Sequence, residues 1–173
     1  TLTCKNAEFQ LLGSSAENYP PLPDSHGVKL FPIDGLAFRE LIERTMLSVS
    51  TDESRPNLNG VYFRCLEDNR VRMVSTDGHR LSQGERQINR EIDIPEHDGV
   101  IIPRKGVAEI KRLLDESGRE VSFGFLDNNL VVEAANFSLF IRLIDAAFPD
   151  YRQVIPKSSE RTVVLDRVPF LAS

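Results

Sequence analysis

Two stretches of the chain carry the same hydrophobic rhythm. Over residues 35–46, Ala37, Phe38, Leu41, Ile42 and Thr45 recur at helical spacing; over residues 105–116, Val107, Ile110, Leu113 and Leu114 do. Each helical pattern follows a short apolar strand pattern, residues 28–33 in the first case and 99–102 in the second. Each is then followed by three strand-like segments: 61–66, 71–76 and 79–88, and later 121–126, 130–135 and 138–144. The chain therefore reads twice as strand, helix and three antiparallel strands.

The rhythm is a sequence repeat. Phe31-Pro32-Ile33-Asp34-Gly35-Leu36-Ala37 aligns with Ile102-Pro103-Arg104-Lys105-Gly106-Val107-Ala108, the Pro, Gly and Ala matching at an offset of 71 residues. Leu66-Glu67-Asp68-Asn69-Arg70-Val71 aligns with Leu126-Asp127-Asn128-Asn129-Leu130-Val131 at an offset of 60. Both are strand–turn–strand patterns whose Asp and Asn residues supply the left-handed conformations of a tight turn. The offsets differ by 11 residues, so one connection in the first half is longer by about that much. The polar stretch 48–58 takes that role, and a long loop on a repeated scaffold points to function. The predicted fold is α+β: two pseudo-symmetric βαβββ units with antiparallel sheets and two helices on one face.

With 173 residues, 40% hydrophobic and 27% charged, the chain fits one sizeable domain and is neither low-complexity nor wholly disordered. Cys4 and Cys65 stand far apart with no C-x-x-C pairing, which argues against a disulfide framework or zinc ribbon and for a reducing cytosol. No apolar run approaches the roughly 18 residues of a membrane span, and the N-terminus has no signal-peptide pattern. A net charge of -5 argues against a tight nucleic-acid binder. Residues 7–11 alternate like a strand at once, and residues 164–171 read as a strand running into a helix opened by Asp166 or Arg167 and left incomplete. Both ends thus fall inside elements, which reads as a piece of a longer protein.

Catalytic constellations are thin. Asp77 and His79 flank Gly78, but no G-x-S-x-G elbow accompanies them, so a hydrolase is set aside. His26, His79 and His97 lack metal-ligand spacing with cysteine or carboxylate clusters, and no phosphate-binding G-x-x-x-x-G-K-[ST] loop occurs. Neither a metal nor a cofactor is expected. Asn136-Phe137-Ser138 matches a glycosylation sequon inside a predicted hairpin and is read as chance. Cys65, in a predicted strand, is read as a small buried apolar side chain.

Four segments in order carry a resemblance. They are Arg55-Pro56-Asn57-Leu58-Asn59-Gly60, Val74-Ser75-Thr76-Asp77-Gly78-His79-Arg80-Leu81, Ile102-Pro103-Arg104-Lys105-Gly106-Val107 and Phe148-Pro149-Asp150-Tyr151-Arg152-Gln153-Val154-Ile155-Pro156. Together they resemble the middle domain of the bacterial DNA polymerase III beta subunits, the replicative sliding clamps. On that resemblance, residues 28–156 form the middle domain. Residues 1–23, ending in Asn18-Tyr19-Pro20-Pro21-Leu22-Pro23, are similar to the end of the first domain, and residues 157–173 to the truncated start of the third.

The resemblance implies a DNA-clamp fold in a bacterial cytoplasmic processivity factor. In that family two three-domain subunits close a homodimeric ring around duplex DNA, while nucleotidyl transfer resides in another subunit. This stretch alone is expected to be a monomer. A sliding ring needs only weak, screened attraction along its hole, so net acidity is compatible with DNA where basic residues cluster. The resemblance points to Arg55, Arg104 and Lys105. Lys105 and Arg112 also lie seven apart, opposite the apolar stripe, but Glu109 and Glu116 share that face; a basic face and a mixed solvated face both remain open.

The resemblance also implies a pocket for short linear peptides of the polymerase, the clamp loader and repair proteins, anchored through Leu and Phe side chains. Carried over by position, its residues are Leu58, Thr76, Gly78, His79, Arg80, Leu81, Pro149 and Val154. Leu81, Pro149 and Val154 supply the apolar wall, and Gly78 permits close backbone approach. Gln153 stands where many members carry Arg. In the family the third domain completes this pocket, so one wall is expected here. The alternative is an interaction module of the same fold that forms no ring.

Overall fold

The computed structural model describes residues 1–19, 27–67, 69–88, 99–117, 120–134, 137–158 and 160–173. The Pro20-Pro21-Leu22-Pro23 run, His26, Asp68, His97, Ala135 and Asn136 of the sequon lie outside the described residues.

Strands β1 (Leu2–Cys4) and β2 (Ala7–Phe9) form an exposed hairpin, shorter than the predicted 7–11 alternation. The repeat follows. Its first half comprises β3 (Phe31–Asp34), α1 (Gly35–Thr45), β4 (Gly60–Leu66), β5 (Arg70–Thr76) and β6 (Leu81–Gln87). Its second half comprises β7 (Val100–Pro103), α2 (Arg104–Ser117), β8 (Glu120–Leu126), β9 (Asn129–Ala134) and β10 (Phe137–Arg142). Asp34 caps α1, its carboxylate accepting from the backbone N–H groups of Leu36 at 2.9 Å and Ala37 at 3.3 Å. In the first turn of α2, Gly106 answers a steric need: a Cβ there would meet Ile141 Cγ2 at 2.5 Å.

The two units do not fold side by side; they exchange strands. One antiparallel sheet runs β10-β9-β8-β3 and the other β6-β5-β4-β7. Each sheet thus takes three consecutive strands from one half and the opening strand from the other, with Phe31 opposite Phe123 and Phe63 opposite Val100. The exchange makes one core. Phe38 of α1, 1% exposed, meets Phe63 of β4 and Phe123 of β8 edge-on at 6.0 and 4.7 Å, touching both sheets at once. Val107, Ile110, Leu113 and Leu114 of α2 join the same cluster, and Cys65 packs half-buried against it.

Two expectations need correction. The hairpin turns are not equivalent: Leu66 pairs with Arg70 across a three-residue loop, Leu126 with Asn129 across a two-residue loop. Val71 therefore corresponds to Leu130 rather than Val131, and the left-handed residues are Asn69 (φ 55°) in one turn and Asp127 (φ 49°) in the other. Among the described residues no strand pairs with residues 164–166, so the strand-like start of the 164–171 pattern stays outside any sheet. A short helix, α3 (Arg167–Ala172), opens directly after Asp166, where the sequence places a helix start.

The long connection falls where the unequal offsets place it. Residues 46–59 contain two single 3-10 turns, Met46–Ser48 and Pro56–Leu58, and the Ser50 N–H donates to the Leu58 carbonyl at 3.1 Å to close the loop. Its counterpart between α2 and β8 is two residues long.

Candidate functional site

Alternation along β5 divides its side chains between two environments. Val71 and Met73 enter the core, whereas Arg72, Val74 and Thr76 point to the opposite face of the sheet. That outer face carries a second apolar cluster of Tyr62, Val74, Ile101 and Tyr151, packed against Leu81, Ile144 and Phe148. The cover is the chain after β10. Ile144 bridges to Ile101, its N–H donating to the Ile101 carbonyl at 3.0 Å. Phe148 stacks on Tyr62, and a single 3-10 turn, Tyr151–Gln153, follows.

Asp150 holds that turn. Its carboxylate accepts from the Arg152 N–H at 3.3 Å, the Arg152 Nε at 3.1 Å and the Gln153 Nε2 at 3.1 Å. Gln153 and then Arg152 lower the Asp150 carboxyl below the ordinary aspartate range. Gln153 is thereby spent inside the turn.

Opposite stands the β5–β6 turn. Thr76 Oγ1 accepts from the Gly78 N–H at 3.1 Å and donates to the Arg80 carbonyl at 2.8 Å. The Asp77 carboxylate accepts from the backbone N–H groups of His79 and Arg80, and from Arg80 Nε, each at 3.0 Å. Those backbone bonds first, and then Arg80, hold the Asp77 carboxyl at about 2. Asp77 is thus a turn-forming group, which removes it from any catalytic pairing with His79. Gly78 sits at φ +94°, so its glycine answers a backbone requirement; a Cβ there would find only Arg55 Nη1, at 3.4 Å.

Between the two turns lies a cavity of about 470 Å³. All eight residues proposed from the sequence, Leu58, Thr76, Gly78, His79, Arg80, Leu81, Pro149 and Val154, line it. Asp150 and Tyr151 line it too, and sequence reasoning missed both. Their signal was the Phe-Pro-Asp-Tyr motif itself, in which only the proline was assigned a role. Tyr151 is 5% exposed and Leu58 7%, whereas Val154 is 70% exposed and leaves the cavity open on its side. A second hollow of about 400 Å³, lined by Tyr62, Arg64, Ile101, Phe148 and Arg152 among others, lies across Pro149, Asp150 and Tyr151, which border both.

The basic candidates do not form one cluster. Arg55 belongs beside the cavity, next to Gly78, and pairs with Asp52 at 3.7 Å. Arg104 and Lys105 are exposed at the start of α2. Arg112 is bridged by Glu109 at 2.9 Å and Glu116 at 3.0 Å, and the two carboxylates, Glu109 foremost, raise its pKa. Among the described residues no group of three His, Cys, Asp or Glu is placed to hold a metal ion.

Comparison with known proteins agrees with this geometry. The family described as DNA polymerase III beta subunit, central domain, matches residues 32–150. The Beta sliding clamp of Proteus mirabilis is 37% identical over 159 residues, which cover 91% of this chain and 42% of that protein. The chain thus spans less than half the length of such relatives. Among solved structures, the DNA polymerase III beta chain of Streptococcus pneumoniae superposes with a TM-score of 0.79 at 28% identity, over 90% of this chain and 41% of that one. A sliding clamp from Bartonella birtlesii, bound to griselimycin, superposes with a TM-score of 0.74 at 33% identity, over 84% and 40%. With its strand-exchanged βαβββ repeat and these matches, the chain belongs to the DNA polymerase III beta subunit family, residues 32–150 being its central domain.

Proposed function

We propose that the chain is the central part of a bacterial DNA replication processivity clamp, and that its cavity captures short linear peptides of polymerase, clamp-loader and repair proteins. The role is non-catalytic: the clamp tethers a polymerase whose nucleotidyl transfer occurs in another subunit, in the bacterial cytoplasm. The observation that carries this reading is the cavity. Residues from three separate segments converge on it, and its lining combines apolar Leu58, Leu81 and Val154 with the polar turn at Thr76–Arg80. An opening of that size suits Leu and Phe anchors fixed by a few polar groups. The Bartonella birtlesii clamp bound to griselimycin is a relative that takes up a ligand.

Two such subunits, each carrying domains on either side of this one, would enclose duplex DNA as a homodimeric ring. Arg104 and Lys105 would supply a weak, screened attraction on the DNA side. A second reading, a partner-binding module of the same fold that encloses no DNA, draws on the net charge of -5 and on the bridging of Arg112 by two glutamates.

The test is a titration of the peptide Gln-Leu-Ser-Leu-Phe into the chain, followed by amide chemical shifts. Shifts confined to residues 76–81 and 149–154, at an affinity as weak as about 1 mM, are expected. Saturable shifts that avoid both segments would overturn the assignment of the cavity.

A further inference from the structure

The outer face of the β6-β5-β4-β7 sheet carries a polar row that the proposed function leaves unused. Arg64, Arg72 and Glu85 stand opposite one another on β4, β5 and β6, and Arg70 lies two residues before Arg72 on the same face. Glu85, 22% exposed, is the carboxylate this row gathers around. Arg72 reaches its Oε1 from Nε and Nη2, each at 2.6 Å, and Arg70 reaches its Oε2 at 2.5 Å. Arg72 has one arm left over. Its Nη1 donates to the Tyr151 hydroxyl at 3.0 Å. Burial disfavours the Arg72 charge, but the hydrogen bonds with Tyr151 and Glu85 outweigh it, so the pKa is raised.

Tyr151 joins this row to the cavity. Its ring is buried in the outer cluster and borders the cavity, and its backbone begins the 3-10 turn ending beside Val154. A tyrosine tip held by a guanidinium, itself fixed by a carboxylate, sets the ring's position along its long axis. We infer that Arg72, oriented by Glu85, is a positioning residue for the peptide cavity: it holds Tyr151, and through Tyr151 the wall formed by Pro149–Val154. The inference rests on the peptide-capture reading for its effect on affinity, but its structural half can be tested without any peptide.

Four variants test it: Arg72→Met, which keeps the stem and removes the donors, Arg72→Lys, Tyr151→Phe and the double variant Arg72→Met/Tyr151→Phe. The first readout is amide hydrogen exchange at Arg152, Gln153 and Val154, the N–H groups that close the turn. Arg72→Met and Tyr151→Phe should each raise these exchange rates roughly tenfold, the double variant no further, and Arg72→Lys should restore part of the protection. Unchanged exchange in Arg72→Met, or additive effects in the double variant, would overturn the inference. The second readout is the Kd for Gln-Leu-Ser-Leu-Phe, expected to weaken several-fold in Arg72→Met with the thermal midpoint within a few degrees of the parent. Peptide binding absent from the parent chain would overturn capture by this stretch on its own and leave the exchange result to decide the positioning role.

Discussion

The ring of Phe148 lies flat on the ring of Tyr62, the centroids 4.8 Å apart and the planes 12° from parallel. Tyr62 belongs to a central strand and Phe148 to the segment that crosses the sheet's outer face, so the stack fastens the cover to its support. Tyr151 adds tilted contacts to both rings, at 6.2 Å to Tyr62 and 6.3 Å to Phe148. A cavity wall made of irregular chain is thereby anchored on three aromatic side chains.

Replacing Phe148 with Ala should loosen that wall. Phe148 is half-buried, so the loss falls below that of a full core phenylalanine, at about 2 kcal/mol. Urea denaturation measures it. A change under about 0.5 kcal/mol would mean the stack contributes no more than an ordinary surface contact.

Leu81 opens β6 opposite Thr76, and its side chain lies between the second apolar cluster and the cavity. Leu81→Glu places a charge where an apolar peptide anchor would sit. Because Leu81 is only half-buried, the fold should survive with its amide spectrum dispersed, while peptide-induced shifts vanish. Binding retained at the parent affinity would put the peptide site elsewhere.

Both helices and their apolar faces were readable because Phe38, Leu41 and Ile42, and later Val107, Ile110 and Leu114, follow one period without interruption. Sheet membership was not. A repeat states that two units are alike, and Phe31 would be equally apolar against either β4 or β8; the choice comes from packing both helices on one shared core. The one-residue slip after the hairpins was hidden for a related reason. Val131 is as buried as Leu130, so its hydrophobicity could not tell which of the two matches Val71. In the site, the eight cavity residues came from resemblance, and Arg55 was assigned to DNA from the same source. Only three dimensions place Arg55 beside Gly78, because the loop that carries it closes through the hydrogen bond between Ser50 and Leu58.

Gly78→Ala should cost about 1–2 kcal/mol, since φ +94° is poorly open to a residue with a Cβ while the space itself is free. The strain would fall on the turn that lines the cavity, so peptide affinity should drop together with stability. Thermal unfolding and the titration, measured on one sample, check both. An unchanged melting temperature would mean the turn accommodates alanine by shifting.

The Asp77 carboxyl gives the same turn a defined acid limit. Its pKa falls from an ordinary 3.8 to about 2 because the folded turn supplies the N–H groups of His79 and Arg80. A depressed carboxylate contributes stability above the unfolded value and loses it as pH falls through the folded one. The amide shifts of His79 and Arg80 should therefore stay constant to below pH 4 and then titrate together near pH 2. A midpoint near 4 would mean the capping bonds are absent in solution.

The basic residues of α2 differ in how free their charge is, and DNA attraction should follow that difference. Arg112 is bridged by two glutamates on its own helix, so its field largely cancels. Lys105 and Arg104 lie a turn or more upstream, exposed at the end of the helix where the backbone N–H groups add positive potential. Weak binding of duplex DNA by the chain, measured at low salt by fluorescence anisotropy, should fall on replacing Arg104 and Lys105 together with Ala. The dependence of log K on log salt should flatten by up to about two counterions. Arg112→Ala takes the Glu109–Arg112–Glu116 group from a net −1 to −2, so it should weaken binding too, but by less than the double variant, which removes two unpaired charges. A loss with Arg112→Ala as large as with the double variant would place the DNA-facing charge along the middle of α2 instead of at its start.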